Sequence, residues 1–177
     1  YRETIAVSPK RAEAHYHLGQ LLHATERYEE AAASFREALR LQPGSTAILQ
    51  GLTAALIKQE RYAEAEAAAR AGLAQPQRDP RSVAGLKLNL GIAVSQQLRH
   101  DEALAEFDIA QRLMPDLPRA DYNRANTLQM MGRLEDAEAA YRKALAQDPF
   151  DLPAHRDLNY LLYRMERRGW LRGEWQT

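Results

Sequence analysis

The chain has 177 residues, enough for one compact domain or a short repeat array. Its 24 Lys and Arg balance 24 Asp and Glu, which argues against nucleic acid as a partner, since its binders carry a net basic footprint, and against a polybasic membrane-surface protein. Hydrophobic residues make up 45% and aromatics only 7%, so the apolar mass is chiefly Ala and Leu, strong helix formers; with no cysteine, disulfides, thiolate metal sites and a Cys nucleophile are excluded.

In chain order, the first element is residues 1–11, read as the second helix of a truncated preceding unit. Proline then sets a period: Pro9, Pro43, Pro76, Pro115 and Pro149 recur at roughly 34-residue intervals. Four units follow in one register, 12–45, 46–79, 84–117 and 118–151, with 80–83 (PRSV) as an insertion between the second and third. Residues 152–168, LPAHRDLNYLLYRMERR, read as the first helix of a fifth unit. No second helix with the Ala pattern follows, so this helix is expected to cap the array. Residues 169–177 read as a tail, interrupted by Gly169 and Gly173.

The register holds inside the units. Position 8 is Gly19, Thr53, Gly91 and Ala125, and position 20 is Ala31, Ala65, Ala103 and Ala137. Position 11 is Leu22, Leu56, Val94 and Leu128, and position 24 is Phe35, Ala69, Phe107 and Tyr141. Positions 4, 7, 8 and 11 fall on one face of a first helix, and positions 20, 24 and 27 on one face of a second. Small residues let the two backbones approach, and proline at position 32 ends the second helix because it cannot continue the hydrogen-bond ladder. One hairpin cannot bury its apolar face alone, so neighbours must stack.

The stretch LGQLL…AAASFREALRLQP, repeated in this register over about 150 residues, resembles the tetratricopeptide repeat family. The resemblance implies an all-α, right-handed α-solenoid of helix hairpins. It also implies that the first helices line a concave groove that takes a protein or peptide ligand.

AHYHLGQLLHA places His15, His17 and His23 close together in sequence. None of these pairs has the i, i+4 spacing that brings two ligands to one metal on a helix. The register assigns His15 to packing and His17 and His23 to the inner side of the first helix. No phosphate-binding loop, dinucleotide fingerprint or nucleophile elbow occurs. Carboxylates such as Glu29, Glu30, Glu102, Glu135 and Asp136 fall on the polar outer side or early in a second helix, where negative charge suits the dipole. No catalytic residue, metal or cofactor is therefore expected, and the chain itself reads as non-enzymatic.

The family resemblance puts groove residues at positions 2, 5, 6, 9, 12 and 13. The candidates are Tyr16, His17, Gln20, His23, Gln50, Asn89, Tyr122, Asn123, Asn126, Arg156, Tyr160 and Arg164. Asn89 and Asn123 share position 6, similar to the asparagine ladder of O-linked N-acetylglucosamine transferase repeats, which holds a peptide backbone; His17, Gly51 and Asp157 interrupt the series. The carboxylate clamp of chaperone-binding members wants Lys and Asn where Tyr16 and Gln20 stand, so that ligand is not expected.

The expected function is thus a protein-interaction scaffold that binds a protein or peptide segment. The alternative is the repeat segment of a larger enzyme, a 2-oxoglutarate/iron oxygenase or a glycosyltransferase, with its catalytic domain outside these residues. The run YLLYRMERRGWLRGEW is locally basic and aromatic. It fits single-stranded nucleic acid, a cap over the array's end, or a junction where Trp170 and Trp175 pack on a following domain. No apolar run reaches the roughly 18 residues of a spanning helix. Absence of cysteine fits the cytosol, the compartment expected, and does not exclude the periplasm.

Overall fold

The computed structural model describes residues 10–76, 79–117 and 119–172, with side chains from 11 to 166. Among these residues there are nine α-helices and no strand: α1 (Lys10–Ala24), α2 (Tyr28–Leu41), α3 (Thr46–Lys58), α4 (Tyr62–Leu73), α5 (Pro80–Gln96), α6 (His100–Leu113), α7 (Ala120–Met130), α8 (Leu134–Gln147) and α9 (Leu152–Arg172). They form two compact units, Tyr1–Pro115 and Asp116–Thr177.

One turn recurs four times. The residue at position 15, Glu26, Glu60, Leu98 or Gly132, takes a left-handed φ of 60, 59, 65 or 77°. The next amide then reaches back to the first helix: Arg27 N donates to the Leu22 carbonyl at 2.8 Å, and Arg61, Arg99 and Arg133 do the same to Leu56, Val94 and Leu128 at 3.0 Å. This closes the helix end and frees the chain to reverse. Each of these arginines heads the second helix and pairs with a first-turn carboxylate: Arg27–Glu30, Arg61–Glu64, Arg99–Glu102 and Arg133–Asp136. Those carboxylates also suit the positive end of the helix dipole.

In the first unit, α1 packs on α2, α3 on α4 and α5 on α6, and each second helix packs on the next first helix. In addition α1 touches α3, and α3 touches α5. The first helices therefore form a layer of their own. The core lies between that layer and the second helices. Ala31, Ala65 and Ala103 are fully buried, as are Ala38, Ala69 and Ala110. Phe35 and Phe107 are at most 1% exposed. Burying such a side chain contributes about 1.5–3 kcal/mol.

Phe35 explains two glycines. A Cβ on Gly19 or on Gly51 would stand 2.7 Å from the Phe35 ring. The ring thus rises from α2 against the backbones of both α1 and α3.

The second unit repeats the scheme with α7 on α8 and α8 on α9. Ala125, Ala137 and Tyr141 fill its core. Position 4 is Asp121, 2% exposed, held by Lys143 Nζ at 2.9 Å and Gln147 Nε2 at 3.1 Å.

Three sequence expectations change. Residues 80–83, read as an insertion between the second and third units, form the first turn of α5: Asp79 caps it, accepting from Ser82 N at 3.0 Å, and Pro80 sits at the helix start, where its missing N–H costs nothing. Lys10 and Arg11, expected at the end of the preceding helix, belong to α1. Helix α9 runs through Gly169 to Arg172; one glycine weakens a helix by about 1 kcal/mol without ending it. Residues 1–9, Gly173, Trp175 and the side chains of Arg167, Arg168, Trp170 and Arg172 lie outside the described residues.

Candidate functional site

The candidate surface is the face of the first helices that the second helices leave uncovered. In the first unit Tyr16, His17 and Gln20 form a string on α1. Gln20 Nε2 donates to the Tyr16 hydroxyl at 2.9 Å, and Gln20 Oε1 lies 3.0 Å from His17 Nδ1. His17 and Gln20 are exposed, while the half-buried Tyr16 rests its ring 6.0 Å from Phe35. His17 Nε2 also stands 3.7 Å from Glu13.

His23 differs from its neighbours. It is half-buried at the end of α1, edge-on to Tyr28 at 5.2 Å, and its Nε2 is buried without a hydrogen bond. Burial lowers its pKa and the Lys58 charge adds to that, against a weaker pull from the Ala54 backbone. A neutral ring serves packing here; it is poorly placed to greet a ligand.

Gln50 and Asn89 are tied to each other's elements. The Asn89 amide donates to the Gln50 carbonyl at 3.3 Å, linking α5 to α3. The Gln50 side chain lies over Gly85, where a Cβ would stand 2.0 Å from its Nε2. Asn123, in the second unit, spends its amide on the Arg119 carbonyl at 2.8 Å. Each asparagine thus has one donor engaged within the chain. Each Oδ1 keeps its capacity to accept.

In the second unit the candidates converge. The Tyr122 hydroxyl donates to Asp157 at 2.8 Å, joining α7 to α9. Arg156 Nε donates to the other Asp157 oxygen at 2.8 Å. The Arg119 guanidinium lies 4.5 Å over the Tyr122 ring, a cation–π contact. Burial pushes the Asp157 carboxyl up, but the bonds from Arg156 and Tyr122 and the charges of Arg156 and Arg119 outweigh it and hold it low. Burial raises the Tyr122 phenol. Asn126 Oδ1 accepts from the Tyr141 hydroxyl, which also reaches Gln129 Oε1 at 3.0 Å. Tyr160 is 57% exposed, with the Arg164 guanidinium 5.8 Å over its ring.

Two participants carry more weight than the sequence assigned them. Asp157, read as a break in the asparagine series, is the bridge between α7 and α9. Tyr141, read as core filler, also fixes two amides of the wall. The signal for Tyr141 was Tyr in place of Phe at position 24 beside amides at positions 9 and 12. Among the described residues no group of His, Asp or Glu could hold a metal ion. No described helix is long and apolar enough to cross a membrane.

Comparison with known proteins agrees with this geometry. One family model described as tetratricopeptide repeat matches residues 1–46 and 54–118, and a second matches 122–151. Human protein O-mannosyl-transferase TMTC1 is 26% identical over 149 residues, 84% of this chain but 17% of that protein. The chain therefore spans less than a fifth of that relative. Among solved structures, the type IV pilus biogenesis factor PilW matches with a TM-score of 0.78 at 22% identity, covering 99% of this chain and 84% of PilW. YrrB, a TPR protein with an unusual peptide-binding site, matches with a TM-score of 0.63 at 20% identity, covering 94% of this chain and 84% of YrrB.

Proposed function

Because the chain belongs to the tetratricopeptide repeat family, we propose that it is an interaction scaffold whose first-helix face binds an extended segment of another protein. The observation that carries this reading is the polar and aromatic row the core leaves unused. His17, Gln20, Arg156 and Tyr160 stay exposed on helices whose opposite faces are buried Ala and Leu. An extended peptide needs acceptors for its N–H groups and flat surfaces for its side chains. Each unit offers both: the first holds the Asn89 Oδ1 and the Tyr16 ring, and the second holds the Asn123 Oδ1 and the rings of Tyr122 and Tyr160. One amide proton of each asparagine is already held by a chain carbonyl, and the Oδ1 of each is left to accept. The peptide-binding site named for YrrB is consistent with this use of the fold.

A photo-crosslinking amino acid at Gln20 or Asn126, compared with one at Ala33 on the opposite side of α2, tests the reading. Peptides enriched by display on this chain should crosslink from Gln20 or Asn126 and not from Ala33. Equal capture from Ala33, or no enrichment of any peptide, would refute it.

A second reading is favoured by the human relative, named for O-mannosyl transfer. On that reading this chain is the repeat segment of a larger glycosyltransferase and presents a protein substrate to it. The reading frame on either side of this segment decides the matter: a neighbouring transferase domain supports it, and its absence removes it.

A further inference from the structure

We infer that the first-helix face of the second unit selects acidic peptides, reading two side-chain carboxylates that flank an apolar residue. This rests on the groove reading above and names the ligand class. The argument starts from charge. Arg119, stacked on Tyr122, and Arg156 flank a single carboxylate, Asp157. That carboxylate is consumed by Arg156 and the Tyr122 hydroxyl, so two guanidiniums meet one negative charge. Arg164 adds a third guanidinium beside Tyr160. The other acid on α7, Asp121, is 2% exposed and neutralised by Lys143. The face is therefore cationic although the whole chain is neutral.

The spacing adds specificity. Arg156, Tyr160 and Arg164 are successive i, i+4 positions on α9, so they lie on one stripe about 6 Å apart along the axis. Alternate side chains of an extended peptide recur every ~6.7 Å. An acid–x–apolar–x–acid segment lying along α9 thus matches the stripe: carboxylate on Arg156, apolar side chain on the exposed Tyr160 ring, carboxylate on Arg164. Guanidinium forks suit carboxylates: Arg156 bonds Asp157 through Nε and its side chain is 73% exposed, which leaves its terminal N–H groups to face a ligand, and Arg164 presents its guanidinium beside the Tyr160 ring.

The test uses fluorescein-labelled, C-terminally amidated Gly-Ser-Glu-Ser-Leu-Ser-Glu-Ser-Gly, with counterparts carrying Gln or Lys for both Glu. A fourth probe is the Gln peptide with a free C-terminal carboxylate. Fluorescence anisotropy with the whole chain at low salt should rank Glu well above Gln, with Lys weakest. The Glu peptide should lose roughly tenfold or more in affinity in Arg156→Ala/Arg164→Ala, while circular dichroism stays unchanged. Lysine at both positions should recover part of the loss. Equal binding of the Glu and Gln peptides overturns the acidic preference and leaves the groove reading standing. Binding by the free carboxylate alone overturns it in favour of a chain terminus. Failure of every probe to bind overturns it as well, and the crosslinking from Gln20 then decides whether the groove reading falls with it.

Discussion

At the scale of single residues, the turn at position 15 is where the sequence is least well matched to its backbone. Gly132 meets the left-handed geometry at no steric cost; Glu60 and Leu98 meet it with a side chain, at about 1–2 kcal/mol each. Leu98 gains little in return, being 74% exposed. Leu98→Gly is therefore expected to raise stability by up to about 1 kcal/mol, the relief of strain being partly offset by a freer unfolded chain. Gly132→Ala, with nothing within 4 Å of the new methyl, should lower it by about 1 kcal/mol through backbone strain alone. Urea midpoints at unchanged slope measure both; a destabilised Leu98→Gly would mean the side chain makes a contact that outweighs the strain. The shared turn was legible as a short connection before Tyr28, Tyr62 and Leu134. Its left-handed residue was not, because only one of the four copies carries the glycine that advertises it. The role of Tyr141 was half legible in the same way: its ring followed the repeat, but a hydroxyl reaching Asn126 depends on three-dimensional placement.

At the scale of helices, packing is governed by how closely first helices approach a ring from the second. Phe35 has backbone at Gly19 and Gly51 on either side, and Phe107 has Gly91, where a Cβ would stand 2.4 Å from the ring. Gly51 is informative because position 6 faces the candidate groove, where side chains are tolerated elsewhere, as at His17 and Asn89. Its lack of a side chain is a packing demand from Phe35. Gly51→Ala should cost about 1–3 kcal/mol by overpacking. Combining it with Phe35→Leu should cost less than the sum of the two single changes, because the smaller residue vacates the space the methyl needs. Strict additivity in chemical denaturation would show that the ring and the methyl do not compete. The ion pairs among the second helices act differently. Glu66 accepts from Arg70, Arg99 and Gln97, and Arg70 also reaches Glu102. Burial raises the Glu66 carboxyl, but these donors more than reverse it and leave it low. Pairs whose arginines stay in solvent, as here, contribute little each; their regular recurrence favours register between hairpins more than net stability.

At the scale of the whole molecule, the fold was readable because it is periodic: one hairpin's small and aromatic positions, repeated, specify the next. The ends and the insertion were less readable because they are single events. The start of α5 depended on the Asp79–Pro80 cap, and the length of α9 on a glycine that a helix tolerates. The candidate face was legible as positions but not as a network, since Asp157 and Arg119 acquire meaning only beside Tyr122. Periodicity also implies unequal stability. In stacked hairpins, folding free energy is close to a sum of repeat and interface terms, and about three repeats are needed before the sum turns favourable. The unit Tyr1–Pro115 holds three complete hairpins, α1 to α6; Asp116–Thr177 holds one hairpin and α9. The smaller unit also puts half-buried Arg124 and buried Asp121 on its packing face, where the second hairpin has Leu52 and Leu49. Expressed separately, the Tyr1–Pro115 fragment should show a cooperative urea transition by circular dichroism. The Asp116–Thr177 fragment should show reduced helicity and a broad, low-midpoint transition. If the shorter fragment unfolded as cooperatively as the longer one, nearest-neighbour stacking could not be the main source of its stability. The Asp121–Lys143–Gln147 network and the Tyr122–Asp157 bridge would then have to supply what the missing repeats do not.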